Sequence, residues 1–312
     1  MSFAARPELV LKQHKVAVRE GVVEHRGGST WYRVVGTGLR TPLVCLHGGP
    51  GSTHNYFAPL EELARVHGRE RGRPVVLYDQ VGCGRSSRAA DAAWSLELFL
   101  DELDALRAHL DLHRIHLLGS SWGGMLALEH ALRRPGTLAG LVLSSTLASA
   151  PAWAAEARRL RDELPAEVRD VLDRHERAGT YDDPQYRGAL AEFERRHFHR
   201  GDDGRPELQR MRVGRSDEAY RAMWGPNEWT MTGALAGWDV TRRLHELDVP
   251  VLVVRGAYDL CTEAIAAQLV EGIAGARLEV LAASSHTPVL EETERYLALV
   301  RAFLAEADGR PA

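Results

Sequence analysis

Gly119-Ser120-Ser121-Trp122-Gly123 is the stretch that decides the fold, because its two flanks predict different secondary structure. Residues 114–118 before it predict a short buried strand, and residues 124–132 after it predict a helix. A Gly-x-Ser-x-Gly motif at a strand-to-helix turn is typical of a nucleophile elbow, in which glycines permit the strained backbone that exposes a serine hydroxyl. The candidate nucleophile is Ser121, since Ser120 has no glycine two residues after it. A turn built only from small residues is the alternative interpretation.

The partners of such a serine are expected in the order serine, acid, histidine, with the acid and the histidine each just after a later strand. The apolar run 251–254 predicts a strand whose following loop contains Asp259. A second run, 278–281, leads to His286, and among the fourteen histidines this one alone has the expected position. We therefore predict that His286 removes the Ser121 proton and that Asp259 orients His286.

The glycine-rich segment His47-Gly48-Gly49-Pro50-Gly51 follows the third predicted strand, where an oxyanion-binding loop is expected. Because glycines lack side chains, backbone N–H groups there can approach a developing alkoxide. We predict that the N–H groups of Gly49 and Trp122, the residue after the nucleophile, are the two donors. A glycine-rich turn without this role is the alternative.

Alternating strands and helices predict the architecture. Strand-like apolar runs recur at 22–25, 31–35, 43–46, 75–78, 115–118 and 141–143, and again at 249–255 and 277–281. Helical patterns between the later runs predict a mostly parallel sheet with helices on both faces, and the start predicts an antiparallel edge. Residues 151–236 predict charged helices and no strand. We expect an α/β fold in which residues 1–148 and 239–312 form the core and a helical cap, 149–238, is inserted between the sixth and seventh strands.

The composition limits the class of protein. Of 312 residues, 45% are apolar, and the formal net charge is −4, as in an ordinary globular protein. Arginines are interleaved with acidic residues, so we expect no nucleic-acid partner. Three cysteines in unrelated segments argue against a disulfide framework, and no leader or membrane-spanning run is evident. We therefore expect a cytoplasmic location and no membrane partner, while the sequence leaves the oligomeric state open.

Cofactor motifs are weak in this sequence. Gly82-Cys83-Gly84 lacks the third glycine of a dinucleotide-binding fingerprint and is better interpreted as a tight turn. His197 and His199 have no further metal ligands at suitable spacing. No phosphate-binding loop motif occurs. We expect neither a metal ion nor an organic cofactor.

Five segments carry a family resemblance. They are His-Gly-Gly-Pro-Gly at 47–51, Tyr-Asp-Gln-x-Gly-x-Gly-x-Ser at 78–86, Gly-Ser-Ser-Trp-Gly-Gly at 119–124, Met-Trp-Gly-Pro-Asn-Glu-Trp at 223–229 and Trp-Asp-Val-Thr at 238–241. Together they resemble the α/β-hydrolase fold, and within it the proline iminopeptidase family, which includes the tricorn-interacting aminopeptidases. The resemblance implies release of an N-terminal proline or small residue from a small peptide or aminoacyl amide through an acyl-enzyme. It also implies that a cap glutamate, here Glu228, binds the free α-ammonium group.

The chain departs from the family pattern at Leu260, where tricorn-interacting relatives place a second glutamate directly after the triad aspartate. The sequence does not tell whether the nearby Glu263 reaches the pocket. Leu260 and the tryptophans of the cap favour, as an alternative, removal of an aminoacyl group from an apolar small molecule such as a polyketide intermediate. A carboxylesterase or lactonase that uses the same triad, with Glu228 incidental, is a second alternative. A catalytically silent binding protein is the third.

Overall fold

The computed structural model describes residues 16–65 and 72–309, and within them the centre of the molecule is a nine-stranded sheet. The strands are β1 (Val18–His25), β2 (Gly28–Val35), β3 (Leu43–Leu46), β4 (Val75–Tyr78), β5 (Ser87–Arg88), β6 (Ile115–Ser120), β7 (Leu138–Ser144), β8 (Val251–Gly256) and β9 (Arg277–Leu281). Their order is β1-β2-β4-β3-β6-β7-β8-β9, and β5 pairs with β2. The pairs that involve β2 are antiparallel and the others parallel. The mostly parallel sheet with an antiparallel edge is thus confirmed.

Both faces of the sheet are covered, as the strand β3 shows most simply. All four of its residues are buried; Val44 and Leu46 belong to one hydrophobic core, and Leu43 and Cys45 belong to the other. This alternation is the period of two that a strand imposes on its side chains. The helices that supply the first core include α1 (Leu96–His109), α2 (Trp122–Arg133) and the helix Glu263–Gly272, and those that supply the second include the 3₁₀ helix His54–Ala64 and the helix Thr293–Asp308.

Between β7 and β8 the chain forms helices and no strand. They are α3 (Ala150–Asp162), α4 (Ala166–Ala178), α5 (Pro184–His197), α6 (Pro206–Gly214), α7 (Asp217–Met223) and the 3₁₀ helix Thr241–Glu246. After β8 the chain forms α8 (Glu263–Gly272), α9 (Pro288–Glu291) and α10 (Thr293–Asp308). Side-chain caps begin several of them: Ser149 caps α3, Asp183 caps α5 and Ser216 caps α7. The two-residue strand β5 was not predicted, so the helical insertion follows the seventh strand of the chain rather than the sixth.

The parallel strands bring four segments to one edge of the sheet. The glycine-rich segment follows β3, Ser121 follows β6, Asp259 follows β8 and His286 follows β9. Ligand sites of open α/β sheets lie outside these carboxyl ends of the strands. No helix among the described residues combines the length and apolar character that crossing a membrane requires.

The last helix is tied to the sheet by a polar cluster that contains no predicted site residue. Asp308 accepts a hydrogen bond from Nε2 of the buried His116 (2.8 Å) and one from Arg73 (2.9 Å). Arg73 also donates to the carbonyl of Thr41. Although burial opposes it, the hydrogen bond from His116 and the charge of Arg73 lower the pKa of Asp308 to about 2.

Candidate active site

Ser121 stands at the turn between β6 and α2, with backbone angles φ 55° and ψ −123°. A non-glycine residue at positive φ is strained by of order 1–3 kcal/mol and persists only where its surroundings hold it. Here the Ser121 N–H donates to the carbonyl of Ser144 (3.0 Å), and the hydroxyl of Thr146 donates to the Ser121 carbonyl (2.6 Å). The strained turn is therefore fixed from two sides, and the side chain of Ser121 borders a cavity.

The two glycines that frame Ser121 are sterically required. A Cβ on Gly123 would lie 1.9 Å from the carbonyl oxygen of Leu46, and one on Gly119 would lie 2.2 Å from the carbonyl oxygen of Gly123. Backbone atoms cannot yield as the end of a side chain can. The motif thus permits the first turn of α2 to pack directly against the end of β3.

His286 and Asp259 form a buried pair. Nδ1 of His286 donates to Oδ1 of Asp259 over 2.7 Å, and both residues are less than 5% exposed. Asp259 is held in turn by the backbone N–H groups of Cys261 (2.9 Å) and Gly256 (3.3 Å). Because Nδ1 is the donor to Asp259, Nε2 is the ring atom left to exchange a proton, and His286 borders the same cavity as Ser121.

The surroundings of His286 act on its pKa in opposite directions. Burial alone lowers the pKa, because the charged ring is poorly solvated. The charge and hydrogen bond of Asp259, with the charges of Glu228 and Glu291, outweigh burial and raise the pKa above its ordinary value. The geometry therefore favours a ring that can hold a proton during a reaction.

The predicted oxyanion loop lies against the serine. A Cβ on Gly48 would lie 3.2 Å from Cβ of Ser121. The N–H of Gly48 donates to the hydroxyl of Tyr56 over 2.7 Å, so it is already used. Gly48 and Gly49 border the cavity, and Trp122 is the first residue of α2, where backbone N–H groups have no partner within the helix. Of the two predicted donors, Gly49 therefore borders the same cavity as Ser121, and Trp122 directly follows the serine in the chain.

Gln80 joins the two sides of this predicted oxyanion site, a role that the sequence analysis missed. Its side-chain amide donates to the carbonyl of His47 (2.8 Å), and its side-chain oxygen accepts from the indole N–H of Trp122 (2.8 Å). The backbone N–H of Gln80 donates to Nε2 of His47 (2.9 Å). All three residues are almost wholly buried. The signal that could have found it is the position of Gln80 inside the segment 78–86, one of the five segments that carry the family resemblance.

Glu228, the predicted ammonium anchor, borders the cavity and accepts two hydrogen bonds. Oε2 accepts from the indole N–H of Trp153 (2.9 Å), and Oε1 accepts from the hydroxyl of Tyr220 (2.7 Å). The ring of Trp153 also meets the ring of His286 edge-on, at 5.7 Å between centroids. One carboxylate is therefore oriented beside the base and keeps acceptor capacity for a cationic ligand.

The loop that carries Glu228 is held by the residues on either side of it. Asn227 Oδ1 accepts from the backbone N–H groups of Trp229 (3.1 Å) and Thr230 (2.7 Å), and its amide donates to the hydroxyl of Tyr186 (2.9 Å). Glu176 of α4 accepts from the indole N–H of Trp229 (2.9 Å). The turn is thereby fastened to α4 and α5.

A second carboxylate, Glu194 of α5, borders the cavity and was not predicted. Its side chain is exposed and borders the cavity, while neighbouring protein atoms partly shield its carboxylate from bulk water. Burial raises the pKa of Glu194, the charge of Arg215 opposes this, and the charge of Glu228 adds to it. No sequence motif marks Glu194, because it lies among charged residues of the kind that is typical of a solvated helix face.

The cavity has a volume of about 400 Å³, within the range of small-molecule sites. Its border includes Ser121, Glu228 and His286, with apolar side chains of the cap beside them. Leu260 is buried in the core, and neither it nor Glu263 is among the described residues that border the cavity. Trp224 and Trp229 are also core residues. The hypothesis of an apolar substrate therefore loses Leu260 as support, whereas Trp153 of the cap does contact Glu228 and His286.

The cap is joined directly to the segment that contains the base. The N–H of His286 donates to the carbonyl of His197 (3.2 Å), and the hydroxyl of Thr287 donates to the carbonyl of Phe198 (3.3 Å). His199 Nδ1 is hydrogen-bonded to the same hydroxyl (2.6 Å), and the Phe198 ring lies 4.6 Å from the ring of His286. The end of α5 and the connection between α5 and α6 therefore contact His286 and the residue after it.

Known proteins resemble the chain over nearly its whole length. A family model of the alpha/beta hydrolase fold matches residues 41–293. A proline iminopeptidase of Clostridium botulinum is 39% identical over 297 residues, which cover 93% of this chain and 99% of that protein. The crystal structure of a proline iminopeptidase of Mycobacterium smegmatis is 40% identical with a TM-score of 0.81, and that of VinJ is 38% identical with a TM-score of 0.86. Each of the two structures covers 93% of this chain, and 99% of its own chain is matched.

Proposed function

Because the chain belongs to the α/β-hydrolase family, and within it to the proline iminopeptidases, we propose that it releases an N-terminal proline or small residue from a peptide or aminoacyl amide. The observation that carries the proposal is one cavity bordered by Ser121, His286 and Glu228. It combines a strained serine, a histidine paired with a carboxylate, and a carboxylate that can select a free amine. The same family membership makes the protein a serine hydrolase.

The reaction begins with Ser121 and His286. His286 Nε2 accepts the Ser121 proton while Oγ attacks the carbonyl carbon of the N-terminal residue, and Asp259 stabilises the imidazolium that forms. The backbone N–H groups of Gly49 and Trp122 hold the negative charge that develops on the carbonyl oxygen. Each such donor contributes about 3–4 kcal/mol to stabilising the transition state.

The second half of the reaction regenerates the serine. His286 gives its proton to the leaving amine as the C–N bond breaks, which leaves the aminoacyl group esterified to Ser121. A water molecule then gives a proton to His286 and attacks the ester, and Ser121 leaves with that proton to release the free amino acid. Only side chains, backbone N–H groups and water take part, so no cofactor is proposed.

Selection of a free amine is assigned to Glu228, with Glu194 as a second carboxylate. Charge-assisted hydrogen bonds of this type contribute about 1.5–3 kcal/mol each. The bonds from Trp153 and Tyr220 support the assignment, because they keep Glu228 at the cavity without neutralising its charge.

We also propose how the chain is divided and where the protein is located. The cap, 149–238, would form one wall of the cavity, while residues 1–148 and 239–312 would form the hydrolase core. A cytoplasmic location is supported by Cys45, Cys83 and Cys261, which are all buried and unpaired.

The test compares prolyl-p-nitroanilide with its N-acetylated counterpart. We expect strong preference for the free amine, and Glu228→Gln should reduce kcat/KM for the free amine roughly 10- to 100-fold while the acetylated compound is little affected. Glu163→Gln, at an exposed position of the cap, is the matched control. Equal rates for both compounds in the wild type would instead support a general esterase or amidase.

Covalent labelling tests the nucleophile separately. A fluorophosphonate should label the wild-type protein at Ser121, and Ser121→Ala should abolish both labelling and turnover. Labelling that persists in the variant would overturn the assignment of Ser121. A wild-type protein that cannot be labelled would favour the catalytically silent alternative.

A further inference from the structure

The charged residues that border the cavity are of both signs. The acidic ones are Asp203, Glu194 and Glu228, and the basic ones are Arg195, Arg212 and Arg215. Binding of the substrate's ammonium group requires only the acidic residues. The basic residues are therefore unexplained by the proposed reaction at the N-terminal residue of the substrate.

Two of these arginines come from one short segment of the cap. Arg212 lies in the last turn of α6, and Arg215 is the residue that ends this helix. Arg212 pairs with Asp203 through one terminal nitrogen (2.7 Å), and Arg215 pairs with Asp217 through Nε (2.9 Å). A guanidinium has five N–H donors, so both retain donors for a further acceptor. Because all four side chains are about half exposed, these ion pairs are weak and compete little with a ligand.

The same part of the cap supplies apolar side chains. Leu208 and Met211 of α6 border the cavity, as do Leu190 of α5 and Phe198 after it. Arginines beside aliphatic and aromatic side chains form a surface for an amino acid residue with an apolar side chain and a free carboxylate.

The charges of the cavity are close enough to act on one another. Glu194 is influenced by the charge of Glu228 and by the opposite charges of Arg215 and Arg212. Arg215 also lies over the ring of Tyr220, 5.2 Å from its centroid, and Tyr220 donates to Glu228. A dipeptide is at most about 7 Å long. A dipeptide therefore carries an ammonium and a carboxylate close together, and the one cavity has both acidic and basic side chains at its border.

We propose that Arg212 and Arg215 bind the C-terminal carboxylate of the substrate, so that the protein acts on short free peptides of the type proline–apolar residue. This inference rests on the proposed function and specifies its substrate class. It favours a peptide over an aminoacyl amide of an uncharged small molecule, since only the peptide presents a carboxylate to the two arginines.

The experiment compares prolyl-leucine with prolyl-leucinamide, which differ only in the terminal carboxylate. In the wild type we expect kcat/KM for prolyl-leucine to exceed that for the amide at least about tenfold. In the double variant Arg212→Gln, Arg215→Gln the ratio should fall towards one. Taking the ratio of two substrates with the same prolyl half removes any effect of Arg215 on Tyr220 and Glu228.

Arg210→Gln is the matched control, because Arg210 lies on the same helix, is exposed and bonds to Asn55 rather than bordering the cavity. It should leave the ratio unchanged. A wild-type ratio near one, or a high ratio that survives in the double variant, overturns the carboxylate site while the proposed function stands. Failure to cleave either dipeptide while prolyl-p-nitroanilide is still cleaved overturns it too. Failure on all three compounds would be failure of the proposed function, and the inference would fall with it.

Discussion

Gln80 shows how one buried side chain can control a site that it does not enter. Its amide bonds in two directions, to the segment that contains Gly49 and to the side chain of Trp122. These are the two sides of the proposed oxyanion site. We regard Gln80 as a positioning residue, because its effect on the reaction would pass through the backbone N–H groups of its partners.

Gln80→Met should lower kcat more than it raises KM. The substitution conserves size but removes both hydrogen bonds, so the two oxyanion donors lose their common support. We expect kcat to fall roughly 10- to 100-fold and KM to change little. This fall in kcat is no larger than the one expected on removal of one oxyanion donor. Steady-state kinetics with prolyl-p-nitroanilide provide the measurement.

A variant that is destabilised far from the site serves as the control for Gln80→Met. Asp308→Asn weakens the polar cluster with His116 and Arg73 and should lower thermal stability without lowering kcat. If Gln80→Met and Asp308→Asn both lost kcat in proportion to the thermal stability that they lost, Gln80 would have only a structural role.

At the scale of residues, local motifs were predictable and distant contacts were not. Ser121, Asp259 and His286 could be proposed because each has a fixed place after a strand. Gln80 and Glu194 could not, because their partners lie far away in sequence and polar side chains of their type are most often solvated.

The turn that presents Glu228 is an element with little regular structure of its own. Asn227 closes it, and Glu176 and Tyr186 fasten it to the cap helices. Burial of these groups makes each hydrogen bond costly to lose, because an unpaired buried donor or acceptor costs about 1–3 kcal/mol. The position of Glu228 thus depends on the cap helices α4 and α5, including side chains of these helices that do not contact the substrate.

Asn227→Ala should weaken binding of substrates with a free amine. Without Asn227 Oδ1 the backbone N–H groups of Trp229 and Thr230 lose their acceptor, and Glu228 is no longer held at one place. We expect KM for prolyl-p-nitroanilide to rise about tenfold, which corresponds to about 1.4 kcal/mol. The residual rate on the N-acetylated compound serves as internal control and should not change. An equal loss on both compounds would mean that the variant damages the triad rather than the anchor.

The strands of the core were easier to predict than the role of the cap. Continuous apolar runs such as 43–46 and 251–254 are typical of strands covered on both faces, and each is a strand in the structure. The two-residue strand β5 is too short to leave a pattern. Inside the cap, the charged sequence correctly predicted helices. It did not distinguish Glu194 and Arg212, which border the cavity, from charged residues on the outer surface of the cap.

Over the whole molecule, the pH dependence of stability has one contribution whose sign is clear. Glu102 of α1 is buried and accepts a hydrogen bond from the hydroxyl of Thr30. Burial raises the pKa of Glu102 to about 8, against an ordinary value of 4.5. Between these values the folded chain holds a proton that the unfolded chain has released. Stability due to this group therefore falls as pH rises through that interval.

Glu102→Gln should remove this contribution. We expect the free energy of unfolding of the wild type, relative to the variant, to decrease by about 1.4 kcal/mol per pH unit between about pH 5 and 8. Denaturant unfolding at several pH values measures the difference. Glu97→Gln, which removes a glutamate at an exposed position of the same helix, is the matched control. A Glu102→Gln variant with the wild-type slope would show that Glu102 is ionised in the folded protein.

The hydrogen bonds between the cap and the segment at His286 limit how this architecture can be recombined. A chimera that took only its cap from a relative would carry a new connection between α5 and α6 into contact with the old His286 and Thr287. The cap, which selects the substrate, and His286, the proposed general base, would then come from different parent proteins. If the cap and the segment that contains His286 were exchanged together, this contact would stay within one parent protein. Substrate choice should therefore be transferred by a larger part of the chain than the inserted helices alone.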